Sequence, residues 1–245
     1  MRVVVIRSSR DACEAVARRI ASDIRQMPGL VLGLPTGRTP ILVYDALADL
    51  YDRGRVDFSR VTTFNLDEFE GVSRRDPRSY HAFMRRHLFD RVNIPPRRRF
   101  IPNGLARDAR REAARYESLI DRAGGLDLCL LGIGRNGHIG FNEPAAALDA
   151  RTHRATLRQE TRRSNAYLFN GRWREVPAHA VSMGIGTILG ARSIVLLATG
   201  SDKASILARA LNGRVTTQVP ASLLQAHPNV VVVLDRDAAA RLRGL

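Results

Sequence analysis

Residues 126–144 read LDLCLLGIGRNGHIGFNEP, an apolar run followed by a polar loop that contains four glycines. The apolar run at 126–131 predicts a buried strand, and the glycines free the backbone that follows from side-chain restrictions. The loop also carries His138, Asn136 and Glu143. Imidazole is well suited to proton transfer near neutral pH, and a nearby carboxylate can hold its tautomer. The stretch therefore predicts proton chemistry at the carboxyl end of a strand in an α/β sheet.

The rest of the chain continues this alternation of strands and helices. Apolar runs without polar alternation are typical of strands buried on both faces, and they lie at residues 3–6, 30–34, 61–66, 126–131, 194–198 and 230–234. Helical patterns lie between them at residues 11–26, 40–53, 78–89, 106–123 and 201–211. This order predicts a doubly wound, mainly parallel, Rossmann-like α/β sheet with helices on both faces. We expect a single domain over residues 1–245, in which the polar segment at about 145–180 forms a lid.

Three glycines of the opening loop also match a nucleotide-binding pattern. Gly132, Gly134 and Gly137 fit the spacing G-x-G-x-x-G, in which the last glycine opens a helix that binds a pyrophosphate. Here His138 follows, and a further glycine and Pro144 interrupt any helical pattern. The sequence therefore disfavours a dinucleotide enzyme. It leaves a catalytic loop or an ordinary glycine turn with a hydrogen-bonded histidine.

The charge and composition restrict the partners. Of the 245 residues, 44% are hydrophobic and 26% are charged, and the formal net charge is +15. The basic residues are dispersed and not interleaved with aromatic ones, which favours a solvated surface that attracts a small anion over a nucleic-acid interface. No apolar window approaches the roughly 18 residues of a membrane helix. We expect no nucleic-acid and no membrane partner.

The N-terminus and the cysteines indicate the compartment. The first residues, MRVVVIR, contain too short an apolar run for a signal peptide. Cys13 and Cys129 are isolated, which favours neither a disulfide framework nor a metal site. We expect a cytoplasmic protein with no metal.

A second loop, GLPTGRTP at residues 33–40, leaves a predicted strand and enters a predicted helix. Gly37 permits the turn, and Thr36, Arg38 and Thr39 surround it. Hydroxyls and free N–H groups at a helix N-terminus bind phosphate well, although the Gly-Lys-Ser/Thr ending of a Walker motif is missing. The loop predicts a phosphate cradle, with a plain capped helix start as the alternative.

Two further loops carry charged groups. Asp67 and Glu68 follow the run at 61–66, and we interpret Asp67 as a candidate base and Glu68 as a structural residue. Lys203 is the only lysine among 39 lysines and arginines, and it begins a helical pattern, where an ammonium group can reach an anion. Surface acids at a turn and a lysine retained by chance are the alternatives. Together the four loops supply an anion cradle, an ammonium group, a base and a His/Glu pair, which suits proton transfer on a phosphorylated sugar.

The motifs in these loops resemble those of the glucosamine-6-phosphate deaminase (isomerising) family. They occur in the family's order and cover nearly the whole chain. The segment HIGFNEP is the most specific of them. The matching pieces are LGLPTG (32–37) with TP (39–40), FNLDEF (64–69), SY (79–80) with FM (83–84), NGHIGFNEP (136–144), and TG (199–200) with KA (203–204).

The resemblance implies a reaction, the conversion of glucosamine 6-phosphate and water to fructose 6-phosphate and ammonia. His138 would assist ring opening, and Glu143 and Asn136 would orient its imidazole. Asp67 would move the C2 proton to C1, while Lys203 and the loop at 36–39 would hold the phosphate. Positioned acid–base groups suffice for this chemistry, so no cofactor is expected. The sequence leaves open whether the protein is a homo-oligomer.

The chain departs from the family's pattern at several positions. Some members have Asp at the position of Asn136, and a neutral amide can orient an imidazole but cannot take up its proton. Arg38 replaces a small residue, and Tyr167 replaces an arginine that binds phosphate, so we expect Arg38 to supply that guanidinium. His153 and Ala155 stand where allosteric members carry basic residues. We therefore expect little or no activation by N-acetylglucosamine 6-phosphate.

Three other functions are compatible with parts of the pattern. A deaminase of a related amino-sugar phosphate would use the same groups. A 6-phosphogluconolactonase shares the fold and the mode of phosphate binding, but its loop resembles Gly-His-Thr-Ala-Ser and not the HIGFNEP segment of this chain. A non-catalytic sugar-phosphate sensor of a transcription regulator would use the basic charge. Such a regulator carries an added DNA-binding module, and no segment of the sequence has the pattern of one.

Overall fold

The computed structural model describes residues 1–243. Residues 244–245, the end of the expected domain, lie outside the described residues. Ten strands are present: β1 (Arg2–Ile6), β2 (Val31–Leu34), β3 (Thr62–Asn65), β4 (Asp67–Phe69), β5 (Arg99–Phe100), β6 (Leu128–Leu131), β7 (His153–Thr156), β8 (His179–Ser182), β9 (Ser193–Ala198) and β10 (Val230–Asp235).

Eight α-helices connect or flank these strands: α1 (Ser9–Gln26), α2 (Arg38–Asp52), α3 (Tyr80–Met84), α4 (Ala109–Arg122), α5 (Gln159–Ser164), α6 (Ile185–Leu189), α7 (Ala204–Asn212) and α8 (Arg236–Ala239). The predicted helix at 78–89 is divided, because α3 continues as a π-helical turn at Arg85–Phe89. The predicted helix at 201–211 begins with a 3₁₀ turn at Ser201–Lys203. No helix among residues 1–243 is both long and apolar enough to span a membrane.

Seven of the strands form one parallel sheet in the order β1-β10-β9-β6-β2-β3-β5. All six predicted strands belong to it, so the predicted doubly wound parallel sheet is confirmed. Alternate side chains of β6 enter two different cores: Leu128 and Leu130 pack with α1 and α2, while Cys129 and Leu131 pack with α4 and α7. Burial on both faces explains why these strands are apolar without interruption.

The sequence did not predict the second sheet, an antiparallel arrangement in the order β4-β8-β7. Its strands are short, and β7 has the mixed sequence HRAT with exposed side chains. Such a strand carries no periodic apolar signal, because its stability comes from pairing with β8. The segment expected as a lid, at about 145–180, contains β7, α5 and two 3₁₀ turns, and it runs into β8.

Candidate active site

A cleft of about 850 Å³ lies at the carboxyl edge of the parallel sheet. The loops after β2, β3, β6 and β9 form one wall, and residues of α5 and the turn after it line the other. Nearly all of the residues expected from the sequence line this cleft: Thr36, Gly37, Arg38, Thr39, Asp67, Asn136, His138 and Lys203. The exception is Glu143, which lies behind the cleft wall.

Glu143 acts on the imidazole mainly through Asn136. His138 Nδ1 lies 2.8 Å from Asn136 Oδ1, and Asn136 Nδ2 donates a 2.7 Å hydrogen bond to Glu143 Oε2. The direct distance from His138 Nδ1 to Glu143 Oε2 is longer, at 3.7 Å. From the sequence we expected the Glu143 carboxylate next to the His138 ring, whereas in the structure the Asn136 amide lies between them.

This chain of contacts determines the tautomer of His138. An amide NH₂ can only donate, so the contact with the Glu143 carboxylate turns the Asn136 oxygen toward the ring. In the neutral ring Nδ1 must therefore carry the hydrogen, which leaves a lone pair on Nε2. Within residues 1–243, Nε2 has no hydrogen-bond partner, and it is free for a ligand in the cleft.

Glu143 is suited to remain charged behind this amide. Burial would by itself raise its pKa, but the interaction with His138 3.7 Å away, aided by Thr161 and the Arg158 backbone N–H, lowers the pKa to about 2. The Arg158 N–H donates to Oε1 at 3.1 Å, so the second carboxylate oxygen contacts the segment after β7. Glu143 thus joins the loop after β6 to the predicted lid.

Gly134 is required by the close approach of the imidazole. A Cβ at this position would lie 2.2–2.5 Å from the ring atoms of His138, a distance no side chain could occupy. The backbone N–H of Gly134 also donates to the His138 carbonyl at 2.9 Å. Gly134 therefore forms part of the surface on which the imidazole rests.

Asp67 is the first residue of β4 and lies in the cleft wall with 6% of its surface exposed. Burial and the neighbouring Glu68 carboxylate raise its pKa to about 8. The loop after β6 passes close to it, since a Cβ at Gly140 would lie 3.8 Å from Asp67 Oδ2. The structure thus brings a carboxyl group and the His138 loop to one cleft.

Glu68 points away from the cleft and has no exposed surface. Its carboxylate accepts three backbone hydrogen bonds, from Phe69 at 2.9 Å and from Tyr80 and His81 at 3.1 Å each. These bonds attach β4 to the first turn of α3. The geometry agrees with the structural role expected for Glu68 and fixes the position of its neighbour Asp67.

The anion side of the cleft combines two helix starts. Gly37 precedes α2 with φ +122°, a conformation that favours glycine, and no side chain caps this helix. Lys203 lies at the start of α7 with 22% of its side chain exposed, and burial lowers its pKa. Its Nζ lies 3.8 Å from Asp202 Oδ2. Free helix N–H groups and a partly buried ammonium group favour a phosphate.

Several residues of the opposite wall come from the predicted lid. Tyr167 was considered there from the sequence, whereas Glu160, Thr161, Arg163, Ser164 and Asn165 were not expected in the site. Arg38 stacks on Tyr167, with its guanidinium carbon 4.8 Å from the ring centre. The Tyr167 hydroxyl is buried without a hydrogen-bond partner among the described residues. The only signal in the sequence for the unexpected residues at 160–165 was the polar run at 159–165, in a segment expected to cover the site.

Comparison with known proteins gives consistent matches over the full length. A sequence model of the family described as glucosamine-6-phosphate isomerases/6-phosphogluconolactonase matches residues 7–233. A protein of Halothermothrix orenii named glucosamine-6-phosphate deaminase is 47% identical, over 99% of this chain and 100% of its own. A protein of the same name from Clostridium botulinum (strain Loch Maree) is 45% identical, over 99% of each chain.

Two similar solved structures differ in how much they share with this chain. A structure described as a monomeric glucosamine-6-phosphate deaminase has a TM-score of 0.95 and 43% identity, covering 98% of this chain and 100% of its own. A 6-phosphogluconolactonase of Trypanosoma cruzi has a TM-score of 0.78 at 20% identity, covering 99% and 97%. The second likeness concerns the fold alone.

Proposed function

The chain belongs to the family of glucosamine-6-phosphate isomerases and 6-phosphogluconolactonases, and we propose that it is an enzyme that converts glucosamine 6-phosphate and water to fructose 6-phosphate and ammonia. The observation that carries this proposal is one cleft that holds an imidazole with a defined tautomer, a protonatable carboxyl group and a phosphate-binding edge. Full-length relatives named for the deaminase, at 43–47% identity, support the same reaction.

His138 opens the sugar ring. The lone pair on Nε2 accepts the proton of the anomeric hydroxyl, and the resulting imidazolium returns it to the ring oxygen, which yields the open-chain aldehyde. Asn136 keeps the Nδ1 hydrogen in place during this exchange, because its oxygen accepts from Nδ1 at 2.8 Å. Glu143 holds the amide and supplies negative charge 3.7 Å from the ring when the ring is doubly protonated.

Asp67 carries out the isomerisation. As a carboxylate it takes the proton from C2 and, as the carboxylic acid, delivers it to C1, while the aldehyde oxygen gains a proton and the amine nitrogen loses one, which leaves an imine at C2. Water then adds at C2 of the resulting imine, the carbon–nitrogen bond breaks, and ammonia leaves. A pKa near 8 suits both halves of this step, since a base works best when its pKa lies near the operating pH.

Lys203 and the loop at 36–39 bind the phosphate. The Thr36 and Thr39 hydroxyls, the free N–H groups after Gly37 and the Lys203 ammonium group all lie on the cleft. Arg38 adds a guanidinium, held on the Tyr167 ring with its carbon 4.8 Å from the ring centre. Binding a remote phosphate helps to position the reacting carbon atoms.

The segment at about 145–180 acts as the lid of this site, in a single domain. The solved relative is described as monomeric, which supports an active site formed within a single chain. A phosphorylated metabolite as substrate supports a cytoplasmic location. Residue 155 on β7 is a buried alanine, which supports the expectation of little or no activation.

The test is release of ammonia from glucosamine 6-phosphate by the purified protein, with Asp67→Asn as the inactive control. We expect stoichiometric ammonia and fructose 6-phosphate from the native protein only. Binding of the sugar phosphate without turnover would support the sensor, and hydrolysis of 6-phosphogluconolactone in place of deamination would support the lactonase. Turnover of another amino-sugar phosphate at a much higher kcat/KM would change the substrate but retain the chemistry.

A further inference from the structure

The cleft carries more positive charge than its own carboxylates neutralise. Four cationic side chains line it: Arg38, Arg135, Arg163 and Lys203. Asp202 partners two of them, with its Oδ2 atom 3.0 Å from the Arg135 Nε atom and 3.8 Å from the lysine Nζ. Among residues 1–243, Arg38 and Arg163 have no carboxylate within 4.0 Å, and each instead lies over an aromatic ring.

The ring beneath Arg163 belongs to Trp173, the only tryptophan of the chain. Its centre lies 5.3 Å from the Arg163 guanidinium carbon, 5.4 Å from that of Arg162 and 5.1 Å from that of Arg174. Arg162 is also bound to the backbone, donating at 2.9 Å to two carbonyls of the turn that follows. Of these three arginines, only Arg163 faces the cleft.

The position of Arg163 on α5 directs it into the cleft. Glu160, Arg163 and Ser164 are spaced by three and four residues, so they share one face of the helix, and all three line the cleft. Lys203 lines the same cleft, so this face of α5 and the lysine border one cavity. Glu160 repels an anion, and the unpaired guanidinium one turn later offsets that repulsion.

We propose that Arg163 is a phosphate-binding residue carried by the lid, held in position by Trp173, so that the bound phosphate connects α5 to the loop of Lys203. This inference rests on the proposed function only for the identity of the ligand as a sugar phosphate. A guanidinium binds phosphate through two parallel N–H groups, and stacking on an indole limits the rotamers it can adopt. Phosphate binding then draws the two walls of the cleft together, and the contact is lost when the product leaves.

The test compares Arg163→Gln with Arg174→Gln. Both substitutions remove one guanidinium from the Trp173 ring and one positive charge from the lid, but only the first removes a group that faces the cleft. We expect Arg163→Gln to raise the KM for glucosamine 6-phosphate and the dissociation constant of inorganic phosphate about tenfold, with kcat changed less than about threefold. Arg163→Lys should recover part of this loss, and Arg174→Gln should match the native protein in both constants.

Tryptophan emission gives a second readout, since Trp173 is the sole indole. Inorganic phosphate should change the emission of the native protein and of Arg174→Gln, but not that of Arg163→Gln. Unchanged phosphate affinity in Arg163→Gln would overturn the proposal, as would equal losses in the two glutamine variants. Because phosphate binding is measured without turnover, this outcome is independent of whether the native protein releases ammonia.

Discussion

The two walls of the cleft are built in different ways. The loops of the sheet edge begin where buried parallel strands end, and the strands fix their positions. The lid wall is anchored by a few apolar side chains, among them Phe169, whose ring centre lies 5.7 Å from that of Phe69. Its polar groups are held by cation–π stacking and side-chain hydrogen bonds to the backbone. We infer a division of function between the two walls. The sheet-edge wall, which we call the rigid wall, carries the proton chemistry, and both walls retain the substrate.

The sharpest test of that division is Asp67→Asn, on the rigid wall. The amide retains the shape but cannot accept the C2 proton. We expect kcat to fall by at least about 10³-fold, within the range for loss of an acid–base group, with little change in KM. Ammonia release under saturating substrate measures this. A large loss of phosphate binding in the same variant would mean that the walls are not separate in function.

Asp67 also makes stability depend on pH. Its pKa is about 8 in the folded protein, against an ordinary value of 3.8. Between these values the folded state holds a proton that the unfolded state has released, so the stability of the native protein falls as the pH rises from about 4 to about 8. Asp67→Asn removes this dependence. The gain in thermal midpoint over the native protein should therefore be larger at pH 8 than at pH 5, and an equal gain at both would contradict the raised pKa.

A smaller loss is expected for Glu143→Gln. The glutamine still reaches Asn136, but the negative charge that faces the protonated ring is gone, and the Asn136 amide is no longer forced to turn its oxygen toward Nδ1. We expect kcat to fall roughly 10–100-fold, which corresponds to about 1.4–2.7 kcal/mol in the barrier. KM should change less than about threefold. A change confined to KM would assign Glu143 to substrate binding instead.

The same division explains what the sequence could predict. The run at 126–131 and its five counterparts each carry their own signal, because burial on both faces demands continuous apolar residues. Parallel strands place the loops that follow them at one edge, so the positions of Asp67, His138 and Lys203 could be predicted together. Which side chains of the loop contact each other could not be predicted. The insertion of Asn136 between ring and carboxylate depends on backbone turns that several sequences could make.

The lid wall gave no comparable signal. The pairing of β7 depends on β8, 20 or more residues away along the chain, and neither strand is continuously apolar. Arg163 and Trp173 are ten residues apart, and only the turns between α5 and β8 bring them together. Stacking of this kind has no fixed spacing. For this reason the arginines at 162–163 looked like surface charge in the sequence.

The smallest expected effect concerns how the rigid wall holds the lysine. Asp235, at the end of β10, is 3% exposed and does not line the cleft. Its carboxylate accepts the Gly200 N–H at 3.0 and 3.1 Å, the Ala238 N–H at 2.8 Å and the Ser9 hydroxyl at 2.5 Å. The Gly200 carbonyl in turn accepts the N–H of Lys203 at 3.1 Å.

Asp235→Asn replaces an acceptor of three donors with a group that has a single acceptor oxygen, so one buried donor faces an NH₂. A donor left unsatisfied in this way costs about 1–3 kcal/mol, which should appear as a lower thermal midpoint. If the carboxylate also positions Lys203, KM and the dissociation constant of inorganic phosphate should rise about three- to fivefold while kcat stays within about twofold. Ser9→Ala is the matched control, since it removes one donor from the same carboxylate and leaves the Gly200 contact intact. A lower midpoint without weaker phosphate binding in Asp235→Asn would restrict this residue to stability, and the lysine would then owe its position to the turn at Ser201–Lys203 alone.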